Sequence, residues 1–94
     1  MKILVIEDEL QIRELLKDNL EYEGYNVVMA EDGEDGLYKA QNENPDLIIL
    51  DLMIPKLHGF DLLKKFRKFN SITPIIILSA KSEEIDKIKG LDLG

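Results

Sequence analysis

The sequence predicts an α/β fold in which a doubly wound parallel sheet carries helices on both faces. Three observations point there. Short apolar runs alternate with segments of helical spacing, most of the runs are continuous, and acidic or hydroxyl residues follow where the runs stop. Continuous apolar runs are what strands buried on both faces look like. Strict alternation of strands and helices with short joints implies parallel strands joined by right-handed crossovers.

The first strand is expected over residues 3–6, the second over 25–30, the third over 47–50 and the fourth over 75–78. After the first, Leu10, Ile12, Leu15, Leu16 and Leu20 recur at three- to four-residue intervals, and Gly24 offers a C-terminal cap, which predicts a helix. Residues 34–42 carry Leu37, Tyr38 and Ala40 and stop before Pro45, giving a shorter helix. Phe60, Leu63, Lys64, Phe66 and Arg67 mark a third helix ending near Phe69, and Pro74 opens the fourth strand. Ser82 can cap a fourth helix whose apolar positions are Ile85, Ile88 and Leu91.

No linker, repeat or low-complexity tract interrupts this order, so residues 1–94 read as one domain. A (β/α)₈ barrel begins with the same pattern but needs about 250 residues, so the open sheet fits the length better. A domain this short buries only about 60% of its extended-chain surface, and loss of one core element matters accordingly.

Composition excludes several functions. A formal charge of −7 argues against direct nucleic-acid binding, which needs clustered Lys and Arg to displace counterions. With no cysteine there is no disulfide framework, thiol chemistry or thiolate metal site. The opening Met1-Lys2-Ile3-Leu4-Val5-Ile6 meets Glu7-Asp8-Glu9, too short an apolar run for a signal peptide or a membrane span, and the protein is expected to be cytoplasmic.

In parallel α/β sheets the functional groups gather where strands end. Glu7, Asp8 and Glu9 follow the first strand, Glu31 and Asp32 the second, Asp51 the third and Ser79 the fourth. Acids that open helices often only favour the helix dipole, which accounts for Glu9 and Glu31. That account is weakest for Asp51, set between Leu47-Ile48-Ile49-Leu50 and Leu52-Met53-Ile54-Pro55, because an isolated buried carboxylate is costly. If strands one and three are neighbours, as in the 2-1-3-4-5 order of flavodoxin-like folds, Glu7, Asp8 and Asp51 converge. Like charges so placed need a cation, and Mg²⁺ suits carboxylate oxygens with a phosphate. A carboxylate beside Mg²⁺ can attack a phosphoryl donor in line and become an aspartyl phosphate, with the Ser79 hydroxyl within reach of the new oxygens.

The ordered set Ile3-Leu4-Val5-Ile6-Glu7-Asp8-Glu9, Pro45-Asp46-Leu47-Ile48-Ile49-Leu50-Asp51-Leu52-Met53-Ile54-Pro55 with Gly59, and Pro74-Ile75-Ile76-Ile77-Leu78-Ser79-Ala80 resembles the receiver domains of bacterial two-component response regulators. The resemblance spans essentially the whole chain. It implies a flavodoxin-like (CheY-like) sheet in the order 2-1-3-4, with Asp51 the phosphoacceptor served by a histidine kinase. It further implies Glu7 and Asp8 as the acidic pair for Mg²⁺, Met53 lending a backbone carbonyl to the metal, and Ser79 as switch hydroxyl. Glu7 stands where many members have Asp, which makes a water-mediated contact the expectation there. Lys56, Lys81 and His58 read as solvated loop residues.

In the family the stretch Gly90-Leu91-Asp92-Leu93-Gly94 normally continues into a fifth strand with a lysine and an aromatic residue, then a fifth helix, and this sequence has none of them. The expectation is therefore a domain of four β-α units with slower phosphorylation poorly coupled to switching. Its fourth strand is expected to be an open apolar edge that forms a homodimer. The same residues leave room for a phosphorylation-incompetent fragment that acts through assembly. A haloacid-dehalogenase-type phosphatase would place a second Asp two residues after the first, where Met53 stands, so the chain is expected not to be an enzyme.

Overall fold

The computed structural model describes residues 1–52, 59–70 and 72–78. Seven elements run in strict alternation: β1 (Lys2–Ile6), α1 (Leu10–Tyr22), β2 (Asn26–Ala30), α2 (Gly33–Asn42), β3 (Leu47–Asp51), α3 (Gly59–Phe69) and β4 (Ile75–Leu78). All pairings are parallel and the sheet order is β2-β1-β3-β4, as the family resemblance implies. The predicted fourth helix, Met53 and Ser79 lie outside the described residues.

Alternate side chains of the strands enter two separate cores. Leu4, Ile6, Ile48, Leu50, Ile75 and Ile77 share one face with Ala40, Leu62, Leu63 and Phe66 of α2 and α3. Ile3, Val5 and Ile49 occupy the other, under Leu16 and Leu20 of α1. This two-sided covering is why β1 and β3 are apolar at consecutive positions.

β4 departs from that reading. Ile75 and Ile77 are buried but Ile76 is 46% exposed, while α1 packs chiefly on β1 and β2. α1 itself has no fully buried residue. Leu10 and Leu15, counted in its apolar face, are exposed, and so is Tyr38 of α2; the periodic stripe is wider than the surface each helix covers.

Local chemistry sets the joints. α1 ends at Gly24, whose φ of 95° lets its N–H reach the Glu21 carbonyl while the Tyr25 N–H reaches that of Leu20. This crossed pair satisfies two end carbonyls and demands a left-handed residue, the role of glycine there. α2 starts at Asp32, whose carboxylate accepts the Asp35 N–H at 2.8 Å. Among the described residues, no helix is long and apolar enough to cross a membrane.

Candidate functional site

The register brings the acids together. Ile6 pairs with Leu50 across β1 and β3, so Glu7 and Asp51 are the next residues along adjacent strands. Glu7 is held as an extension of β1: its N–H donates to the Ala30 carbonyl at 3.0 Å. Asp51 closes β3 opposite Leu78, and the Leu52 N–H donates to the Leu78 carbonyl at 3.2 Å. Oxygen atoms of Glu7, Asp8 and Asp51 lie within 4.8 Å of one another. Glu7 and Asp51 are buried and Asp8 is exposed, so the cluster has a closed floor and one acid at its mouth.

These positions carry an electrostatic load. Burial pushes the Glu7 carboxyl up to about 7, against the lowering influence of the Glu9 N–H that donates to it at 2.9 Å. The Asp51 charge and hydrogen bonds with Asp8 and Asp51 raise it further. A group so placed gives up its proton only as pH approaches about 7, and nearby positive charge favours its release. Three convergent carboxylates form a donor set of hard oxygens, which fits a hard divalent cation such as Mg²⁺.

Two residues frame the acids. Gly59 opens α3 hard against the strand end: its N–H donates to the Leu52 carbonyl at 3.3 Å, and a Cβ there would sit 2.5 Å from Leu52 Cα. Arg13, one turn into α1, donates from Nη1 to the carbonyls of Glu7 at 2.9 Å and Asp8 at 3.2 Å. The sequence reading passed over Arg13. A basic residue five positions after Asp8 on the first turn of a helix was the available signal, but nothing in the sequence distinguishes it from the surface bases around it.

Of the residues singled out, Glu7, Asp8 and Asp51 meet at one strand edge. Glu9 takes no side-chain part in capping α1, Glu31 is exposed at the end of β2, and Asp32 is spent on the start of α2.

The model of the response regulator receiver domain matches residues 3–94. The chain is 53% identical over 93 residues to the alkaline phosphatase synthesis transcriptional regulatory protein PhoP of Bacillus subtilis, covering 99% of itself and 39% of that protein. It thus spans well under half the length of that curated relative. Among solved structures, the Francisella response regulator 1452 receiver domain superposes with a TM-score of 0.90 at 41% identity, over 99% of this chain and 77% of that one. The response regulator protein TrrA of Thermotoga maritima, in complex with Mg²⁺-BeF, gives 0.82 at 44% identity over 86% and 70%.

Proposed function

The chain belongs to the response regulator receiver family, and from that premise we propose that it is a cytoplasmic domain that accepts a phosphoryl group on Asp51 with Mg²⁺, from a histidine kinase. The observation that carries the proposal is the convergence of Glu7, Asp8 and Asp51 within 4.8 Å at the ends of adjacent strands. TrrA, solved with Mg²⁺-BeF, supports carrying this chemistry to a relative of similar fold.

In this reading an Asp51 carboxylate oxygen forms a bond to phosphorus as the bond to the donor's leaving group breaks, and the leaving group departs with the electron pair. Glu7, Asp8 and Asp51 would hold Mg²⁺, which would supply charge neutralisation for the transferring oxygens. The rest is done by the chain. Glu7 gives up its proton as the site charges. Asp8, at the mouth, is the acid an entering cation meets first. Burial of Glu7 and Asp51 keeps water from much of each carboxylate, where charges interact more strongly. Met53 as carbonyl ligand and Ser79 as switch hydroxyl are part of the same proposal; Ser79 directly follows Leu78, the register partner of Asp51.

The test is intact mass after incubation with Mg²⁺ and a small-molecule phosphodonor, beside Asp51→Asn. Gain of one phosphoryl group in the wild type alone supports the proposal; no gain in a folded chain sinks it. A second reading, homodimerisation through β4, has one observation behind it: β4 is the outer strand of the described sheet and exposes Ile76. Sizing of the chain beside Ile76→Lys tests it, with a monomeric wild type as the refuting result.

A further inference from the structure

The Arg13 side chain is only 11% exposed although it is the longest cation on α1. Its planar fork is spent on main-chain atoms: one nitrogen spans the carbonyls of Glu7 and Asp8, the two residues that send carboxylates into the acidic cluster. Another lies 3.9 Å from Glu31, at the end of β2. That ion pair is worth little by itself, because Glu31 is 71% exposed and water screens it. The carbonyl bonds are different. Hydrogen bonds from a charged donor are stronger than neutral ones, and here they hold two consecutive carbonyls, those of Glu7 and Asp8.

We infer that Arg13 is a positioning residue that fixes the β1–α1 loop so that Glu7 and Asp8 face Asp51 at the spacing a divalent cation needs. The inference rests on the phosphoacceptor reading of the cluster. Geometry and charge pull in opposite directions at this position, and that separates them. A guanidinium beside a cation site repels the cation, so a role through charge alone predicts that removing Arg13 tightens Mg²⁺ binding. A clamp predicts loosening. Lysine distinguishes the two because it keeps the charge but replaces a rigid planar fork with a single flexible ammonium.

The experiment is a Mg²⁺ titration of the chain followed by amide NMR, on wild type, Arg13→Lys and Lys39→Ala. Lys39 supplies the control: it donates to the Met29 carbonyl at 2.6 Å and pairs with Asp35, a comparable clamp outside the cluster. Arg13→Lys is expected to weaken Mg²⁺ binding by about tenfold, the lower end of what losing an outer partner of a metal ligand costs. Its Glu9 amide, the donor to the Glu7 carboxylate, is expected to exchange faster, while Lys39→Ala stays at the wild-type affinity. Wild-type affinity in Arg13→Lys overturns the inference, and so does equal weakening in both variants. A wild-type chain that binds no Mg²⁺ sinks the phosphoacceptor reading itself, whereas wild-type binding with an unaffected Arg13→Lys sinks only the clamp.

Discussion

Glu7 and Asp51 stand side by side at the ends of adjacent parallel strands, both almost completely buried, at 4% and 6% exposure. That placement disfavours a charge on Glu7: burial, the larger cause, and the Asp51 charge have moved its carboxyl up to about 7 from its ordinary 4.5.

A pH dependence follows from that shift. With the folded value above the unfolded one, the folded chain holds the extra proton, so the contribution of Glu7 to stability is fully present below about pH 4.5 and is lost as pH rises through about 7. Thermal denaturation of the metal-free chain is expected to show stability falling across this window, and Glu7→Gln is expected to flatten it. In the wild type, Mg²⁺ affinity is expected to rise over the same window because binding would displace the proton. A metal-free profile identical in Glu7→Gln refutes the assignment.

Asp8 separates binding from folding. It is exposed, so Asp8→Asn is expected to leave metal-free stability within about 0.5 kcal/mol of wild type. The rise in melting temperature on adding Mg²⁺ shrinks, since only binding to the folded state produces that rise. Paired melting curves with Mg²⁺ and with a chelator read both quantities.

Two glycine substitutions are expected to differ because of what each new methyl meets. At Gly59 it lies 2.5 Å from Leu52 Cα, a main-chain atom one residue from Asp51. Gly59→Ala is therefore expected to cost about 3 kcal/mol, the upper end of overpacking penalties, and to slow phosphorylation. At Gly36 the methyl meets Ile6 side-chain atoms at 2.8 and 2.9 Å, in the middle of α2. That clash is offset by about 1 kcal/mol of helix propensity, so Gly36→Ala is expected to be the milder variant in urea titrations. Equal losses contradict the argument.

Gly24→Ala tests backbone conformation alone. Nothing lies within 4 Å of a Cβ at that position, but φ is +95°. A loss of about 1 kcal/mol is expected from the left-handed penalty, with Mg²⁺ affinity unchanged because the turn lies at the opposite end of α1 from the acids.

Among the described residues, strand and helix positions and the candidate acids were legible in the sequence, and the family resemblance supplied the sheet order. Runs such as Leu47-Ile48-Ile49-Leu50 set the period, and Asp51 stands out against its apolar neighbours. Parallel topology then left the strand ends as the one place for Glu7, Asp8 and Asp51 to meet. Periodicity records which residues are apolar, and local signals such as Gly24 act within a few residues, so both can be read from the chain. Tertiary structure decided the rest. Ile76 and Leu15 are as apolar as their buried neighbours, and only packing decides that they stay exposed. Arg13 looks like any surface base until folding brings the Glu7 and Asp8 carbonyls within its reach, and the raised Glu7 carboxyl exists only once β1 and β3 lie side by side. Burial and Coulomb interactions depend on distances between residues far apart in the chain, and those distances are set by packing.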